Sequence, residues 1–203
     1  DLCDTFSSVH IPNSITSING SAFDETKIDS LYWNAGKVTA NPFSTEFGSS
    51  LSLLYVSFGD SVHTILPSFC SYMTKLSAVD ISNSVTTIGS YAFEHCEALT
   101  SVTIPSSVTE MKQGAFYGCS GLNEVVLSEG ITTISNSTFR DCTNLTKLPL
   151  TSNVNTIGNY AFCGCTGINS LVIPEGVETI EAYAFDLCDT FSSVHIPNSI
   201  TSI

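Results

Sequence analysis

The chain has 203 residues, of which 42% are apolar and only 12% are charged. Nineteen acidic residues against six basic ones give a formal net charge of −13, which disfavours nucleic acid and anionic lipid as partners, because phosphate binding depends on clustered lysine and arginine. No run of about 18 apolar residues is present, so the sequence predicts no membrane-spanning helix and no membrane insertion in this segment.

A short unit recurs along most of the chain at a fixed interval. Its reference residues follow one another at equal steps of 23 residues, and they are Val56, Val79, Val102, Val125, Leu148, Leu171 and Val194. A period in the range of about 20 to 50 residues is the signature of a solenoid, in which each unit packs only against its neighbours. The sequence therefore predicts a single domain over residues 1–203, with about eight repeats and a partial ninth.

The first repeats are less regular than the later ones. The step from Val9 to Leu31 is one position shorter than the regular interval, whereas the step from Leu31 to Val56 is two positions longer. The extra positions thus lie within the Gly-, Ser- and Pro-containing stretch 37–50, which we expect to form an irregular loop. Residues 1–18 and 186–203 are identical, and we interpret this duplication as a sign that the chain is an excised segment of a longer array.

Each repeat is predicted to contain two extended segments and one helical turn. Residues 102–104 alternate apolar, polar and apolar, as a short strand with one buried face does. Val108 and Met111 follow at a spacing that suits a second, poorer extended segment or a turn. The spacing from Phe116 to Cys119 suits one helical or 3-10 turn. Stacked repeats would then form a parallel sheet on one face and a row of helical turns on the other.

Five cysteines occupy the same position of successive repeats and are called here the cysteine column: Cys96, Cys119, Cys142, Cys165 and Cys188. Single cysteines from separate repeats do not converge as zinc ligands must, and a disulfide needs Cα atoms within about 7 Å. We therefore expect buried free thiols, with a disulfide between some of them left open. Cys163, which lies outside the column, is the thiol expected to be exposed.

No catalytic grouping can be proposed from the spacing of the titratable residues. The four histidines, His10, His63, His95 and His195, lie in different repeats, whereas a catalytic site needs several convergent groups. The acidic residues are dispersed, and no calcium-binding loop of the DxDxDG type is present. The sequence predicts a protein that is not an enzyme and that has no metal ion or cofactor. Sequons at Asn19, Asn136 and Asn144 matter only in a eukaryotic secreted product.

The repeat unit, LxxVxIPxSVTxIGxxAFxxCxxL, resembles the BspA-type leucine-rich repeat of surface proteins from bacteria and some protists. The resemblance covers almost the whole chain and is weakest over residues 31–50. It implies an α/β-type repeat solenoid: a right-handed leucine-rich-repeat superhelix with a parallel concave sheet and short helical or 3-10 turns on the convex side. It also implies a cell-surface or extracellular location and a role in adhesion or host-protein binding.

Binding is expected on the concave surface, which solenoids commonly use for their partners. Two outward positions of each predicted strand would line that surface. Tyr32 and Tyr55 are the best aromatic anchors, since tyrosine is enriched at binding hot spots, whereas Trp33 falls in an apolar column and is expected to be buried. The candidate binding residues are His10, Tyr32, Tyr55, Ser57, Asp80, Thr103, Glu124, Val126, Lys147, Val172 and His195.

Three functions remain open on the sequence. The first is a non-catalytic module of a surface adhesin that binds a protein, such as a host matrix or plasma protein. The second is a carbohydrate- or cell-wall-binding module, suggested by the two tyrosines and the neutral Ser/Thr-rich surface; the third is a structural spacer for another domain. The apolar residues Phe6, Val9, Val194 and Ile196 near the ends also predict end-to-end self-association.

Overall fold

The computed structural model describes residues 7–18, 22–23, 27–43 and 52–203. Within these ranges the chain is a solenoid of short parallel strands, most repeats contributing one strand to each of two ladders. Strands of the first ladder are β1 (Ser8–Ile11), β2 (Ser30–Trp33), β3 (Tyr55–Phe58), β5 (Ala78–Ile81), β7 (Ser101–Thr103), β9 (Glu124–Val126), β12 (Ser170–Val172) and β14 (Ser193–His195). Strands of the second ladder are β4 (Thr64–Ile65), β6 (Thr87–Ile88), β8 (Glu110–Met111), β10 (Thr133–Ile134), β11 (Thr156–Ile157) and β13 (Thr179–Ile180).

The first ladder confirms the parallel sheet that the repeat period predicts. Strands β1, β2, β3 and β5 form one four-stranded sheet, in which the reference residues Leu31, Val56 and Val79 are direct partners. Further along, β7 pairs with β9 and β12 pairs with β14. Between β9 and β12, residues 147–149 form no strand, and Pro149 has no N–H with which to extend the ladder. The outward surface of this ladder is called here the strand face.

The second extended segment is also a strand. Thr64, Thr87 and Glu110 pair in register, and the ladder resumes with β10, β11 and β13. The apolar partner in each of these short strands is buried, as Ile88 is, while the preceding residue is exposed or half-buried. The alternation thus places one side chain per strand in the core.

The prediction of helical or 3-10 turns is wrong, because the described residues contain no helix. N–H groups in the turn segment alternate between two kinds of partner. Those of Ala92 and Glu94 donate to carbonyl groups three residues back, as in single turns. Those of Tyr91, Phe93 and His95 donate to carbonyl groups of the following repeat, at N···O distances of 2.7 to 2.9 Å. A helix would keep these N–H groups within its own segment.

Backbone conformation explains why the turns do not become helices. In each turn segment from residues 67–73 to residues 182–188, two positions four residues apart have positive φ; Tyr91 (57°) and His95 (53°) are one such pair. A left-handed residue cannot continue a right-handed helix. Gly118 occupies the position equivalent to His95, and a Cβ there would lie 2.5 Å from the His95 ring. The resulting surface, over residues 67–73 and the equivalent segments up to 182–188, is called here the turn face.

One hydrophobic core runs through the stacked repeats. Leucine and isoleucine at one position of six successive repeats are all 1% exposed or less, and the phenylalanines of the turn segments form a second line beside them. Ring centroids of Phe93 and Phe116 lie 5.2 Å apart, and those of Phe116 and Phe139 lie 5.8 Å apart, with nearly parallel planes. Each repeat completes its core only against its neighbours.

The cysteine column is buried, and its thiols are free in the structure. Each thiol donates a hydrogen bond to a backbone carbonyl of the preceding repeat; for Cys119 the acceptor is Phe93 O, 3.0 Å from Sγ. Burial raises the pKa of Cys119 to about 12 and that of Cys188 to about 11. These thiols therefore act as small apolar groups whose single donor is satisfied.

Two predictions concern local features, namely the exposure of Cys163 and the loop over residues 37–50. The prediction that Cys163 is exposed is wrong, since the residue is only 2% exposed. Its equivalents in the flanking repeats are the larger side chains Arg140 and Asp186. Residues 37–43, the described part of the predicted loop, contain no strand or helix, and Phe43 is buried. The remainder of that loop, together with Cys3, Phe6 and Asn19, lies outside the described residues.

Candidate binding groove

A groove of about 780 Å³ crosses the carboxyl ends of the first four strands of the strand face. These ends lie side by side because the strands pair in parallel register. The residues that line it are His10, Ile11, Pro12, Tyr32, Trp33, Asn34, Ser57, Phe58, Gly59, Asp60, Asp80, Ile81 and Ser82. This is the largest of the grooves described below.

Three rings form a row along the groove. His10 and Tyr32 are direct partners in the ladder, and their rings stack with centroids 4.1 Å apart and planes 5° apart. Tyr55, one strand further, packs its ring against Tyr32 at 5.7 Å in an edge-to-face arrangement. The spacing between strands, about 4.8 Å, places rings at stacking distance. The stacking of His10 on Tyr32 is therefore a direct result of the strand register, whereas Tyr55, whose ladder partners are Ser30 and Ala78, reaches Tyr32 diagonally.

The acidic side of the groove is formed by Asp80 and Asp60. The Tyr55 hydroxyl donates a hydrogen bond to Asp80 Oδ2, and this bond, with a smaller contribution from burial, raises the pKa of Tyr55. Both aspartates are exposed. Of the described residues that line the groove, none is lysine or arginine, so its carboxylates face solvent without a cationic partner in the lining.

The floor of the groove is apolar and belongs to the core. Trp33 and Phe58 are each 2% exposed, which confirms the expected burial of Trp33. The Trp33 ring packs edge-on against Phe69 at 4.9 Å. At the rim, Asn34 Oδ1 accepts a hydrogen bond from the Ser61 N–H at 2.8 Å. Side chains of the floor are thus held by packing, and those of the rim by hydrogen bonds.

The structure brings some of the candidate binding residues together and separates others. His10, Tyr32, Ser57 and Asp80 line the groove, and Tyr55 contacts two of them. The remaining candidates are exposed on the same face but lie outside this groove: Thr103, Glu124, Val126, Lys147, Val172 and His195. Thr103 borders a neighbouring groove of about 570 Å³ that also contains Asp80. Glu124 and Lys147 border another of about 380 Å³.

A second row of side chains, on the turn face, was not predicted from the sequence. Tyr72 stacks on His95 at 4.8 Å, and Tyr160 stacks on Tyr183 at 4.9 Å. The guanidinium of Arg140 lies over the Tyr160 ring, 5.3 Å from its centroid. Members of each stacked pair are one repeat period apart in the sequence, so the repeat period could have found them. Groove residues Asn34 and Asp60 were also missed, because they follow the strands whose outward positions were considered.

Parallel strands that recur once per repeat at a fixed period, with a column of leucines in the core, define the class of leucine-rich-repeat solenoids. The chain belongs to the BspA type leucine rich repeat family: the model of that repeat region matches six copies over residues 1–100, 43–169 and 86–203. The resemblance stated from the repeat unit is thereby confirmed.

Solved structures of bacterial leucine-rich-repeat proteins are similar to this chain. A T. pallidum Leucine Rich Repeat protein matches with a TM-score of 0.63 and 25% identity, over 86% of this chain and 73% of that one. A leucine-rich repeat protein from Bacteroides ovatus matches with a TM-score of 0.64 and 21% identity, over 98% of this chain but only 57% of its own. One from Eubacterium ventriosum has a TM-score of 0.52 and 20% identity, over 98% and 75%. No curated protein is significantly similar in sequence.

Across the described ranges, no three or more His, Cys, Asp or Glu side chains are grouped so that they could hold a metal ion. The same part of the chain has no helix long and apolar enough to cross a bilayer. Sequons at Asn136 and Asn144 are exposed.

Proposed function

We propose that this chain is a non-catalytic protein-binding module of a cell-surface or secreted protein and that it binds its partner on the strand face, centred on the groove. The observation that carries the proposal is the row of His10, Tyr32 and Tyr55 beside Asp80. Tyrosines held by their neighbours present a large contact area and lose little conformational entropy on binding, which is why they recur at hot spots.

Family membership supports the same kind of function. Repeat solenoids offer extended surfaces that bind proteins. The repeat unit of this chain resembles the BspA-type repeat of surface proteins. Adhesion to a host matrix or plasma protein is the particular role we propose. The concave shape of the strand face is part of this proposal, since it follows from the resemblance.

The carbohydrate alternative has weaker support. Sugars bind flat against exposed aromatic faces, but one face of Tyr32 is covered by His10 and the Tyr55 ring packs against it from the next strand. What Tyr32 offers to a ligand is therefore mainly its ring edge and hydroxyl, which suits a protein contact better than a stacked sugar ring. The spacer alternative would need no binding surface at all.

Binding to a panel of host matrix and plasma proteins, with a glycan array beside it, tests the proposal. The immobilised chain should bind a panel protein saturably, and replacing Tyr32, Tyr55, Asp80 and Glu124 together by serine should abolish that binding. The matched control is Tyr183→Ser, which changes a tyrosine that is 59% exposed on the turn face and should bind as the wild type does. A glycan hit without a protein hit would support the carbohydrate alternative, and silence in both would support the spacer.

A further inference from the structure

We infer that the groove takes a basic segment of the partner protein, with lysine or arginine side chains that lie on the apolar floor and reach Asp60 and Asp80 at the rim. This inference rests on the proposed function and names the chemistry of the partner. It is carried by the combination of an apolar floor, an acidic rim and a lining without lysine or arginine, as described above.

The shape of the lining suits a long cationic side chain. Lysine and arginine join an apolar stem to a charged head, so they gain most where apolar surface lies next to carboxylates. Ile11, Pro12 and Ile81, which are half-buried or exposed, provide such a surface above the buried Trp33 and Phe58. Asp80 lies within β5 and Asp60 lies two residues after β3, both in the lining of the same groove. Arginine can also donate two parallel hydrogen bonds to one carboxylate.

Asp80 is held ready for such a contact. The Tyr55 hydroxyl occupies Oδ2 of Asp80, which leaves the other carboxylate oxygen and its lone pairs for an incoming donor. Because Tyr55 also contacts Tyr32, the carboxylate is tied to the ring row. A ligand therefore meets a positioned acceptor, which reduces the entropy that binding costs.

Charge favours the same partner over longer distances. The chain has 19 acidic and six basic residues, so its field attracts basic proteins and repels acidic ones. Volume distinguishes a peptide from a single ion: about 780 Å³ accommodates several side chains, as ligand pockets of this size do. The occupant that fits is a basic stretch of polypeptide.

The test uses the full chain and three short labelled peptides of equal length, in which glycine alternates with arginine, serine or glutamate. Trp33 is the chain's only tryptophan and forms part of the floor, so its fluorescence reports on the groove, while anisotropy of the label gives the dissociation constant. We expect saturable binding of the arginine peptide with a change in Trp33 emission, and weaker binding as the salt concentration rises.

Substitutions separate a site from general attraction. Asp60→Asn and Asp80→Asn should each weaken binding about two- to fivefold, and the double variant about tenfold, because each removes one exposed charge pair. Asparagine at position 80 keeps an acceptor for Tyr55, so the ring row is preserved. The control, Glu175→Gln with Glu178→Gln, removes the same charge from exposed positions remote from the groove and should leave the affinity within about twofold.

Three outcomes would overturn the inference: equal losses in the control and the groove variants, no change in Trp33 emission on binding, or stronger binding of the serine or glutamate peptide. None of these results would decide the proposed function, which depends on capture of a panel protein through the strand face. Capture of such a protein that survives Asp60→Asn and Asp80→Asn would likewise overturn the basic-segment inference and leave the proposed function standing.

Discussion

Replacing one phenylalanine in the middle of the stacked line is the sharpest test of how the solenoid is held together. Phe116 is fully buried, and its ring stacks on Phe93 at 5.2 Å and on Phe139 at 5.8 Å. Phe116→Ala removes both ring contacts and leaves a cavity. The backbone cannot close this cavity, because the turn segment of Phe116 is hydrogen-bonded to the turn segments of both neighbouring repeats.

The expected loss can be set against a position at the end of the line. Burial of an aromatic side chain of about 150 to 250 Å² at about 25 cal/mol per Å² corresponds to about 4 to 6 kcal/mol as an upper bound, and measured Phe→Ala losses are about 3 to 5 kcal/mol. We expect about 4 kcal/mol for Phe116→Ala. Phe185 is only half-buried; its ring stacks on Phe162 and has a more distant edge-on contact with Phe191 at 6.4 Å. Phe185→Ala should therefore cost about half as much.

Urea denaturation followed by circular dichroism and by Trp33 fluorescence measures both losses. Circular dichroism reports on the whole solenoid, whereas Trp33 lies in β2, so coincident midpoints would show that the damage at Phe116 is transmitted along the stack. Phe116→Leu, which keeps most of the apolar volume, should cost about 1 to 1.5 kcal/mol. The reasoning would be refuted by a Phe116→Ala loss below about 1.5 kcal/mol, or by a loss no larger than that of Phe185→Ala.

Three other predictions concern the turns, the thiols and the exposed edge. Gly164 has a φ of 73°, so Gly164→Ala should destabilise the fold by about 1 to 2 kcal/mol in thermal unfolding. Leu187 is exposed at the equivalent left-handed position of the next repeat, so Leu187→Gly should stabilise the fold by about 0.5 kcal/mol. Stability changes of the same sign for both variants would contradict the turn geometry. Unfolded thiols ionise near pH 9.0, whereas burial keeps the folded Cys119 thiol protonated up to about pH 12. Between these pH values the unfolded state binds fewer protons than the folded state. The free energy of unfolding should therefore fall as pH rises through this window, by up to about 1.4 kcal/mol per pH unit for each buried thiol. Cys119→Ala should make that slope in alkaline urea titrations shallower, and an unchanged slope would exclude this thiol as its source. Val194 lies in β14 and Ile196 directly follows it, and they are 56% and 42% exposed. Sedimentation should therefore show association of this chain at high concentration, reduced by Val194→Lys; a monomer at every concentration would argue against this contact.

The groove could be anticipated in part from the sequence. Outward positions of the predicted strands placed His10, Tyr32, Ser57 and Asp80 on one face, and register at a fixed period made them neighbours. The pattern did not predict that this face forms a groove. Asp60 and Asn34 contribute to the groove from the residues after the strands, where chain direction depends on local turns rather than on alternation.

The turn face shows the opposite situation, since its buried phenylalanine and cysteine positions were recognised from the sequence while its backbone conformation was predicted wrongly. The spacing between Phe116 and Cys119 is compatible with a helical turn, but the N–H groups on that side bond to the next repeat. Whether an N–H finds its partner three residues back or one repeat further on depends on the neighbouring chain segment. A single repeat holds no information on that choice.

By itself, the sequence determined the period, the parallel order of the strands, the buried columns and the family, because a core shared by identical units repeats its apolar positions at a fixed interval. Only the tertiary structure decided the left-handed turns, the burial of Cys163, and which groups meet across repeats, so that stacked rings, carboxylates and an apolar floor lie in one groove. The physical reason is that periodicity fixes which face a side chain occupies, whereas its partners depend on the side chains of neighbouring repeats, and these vary from one repeat to the next.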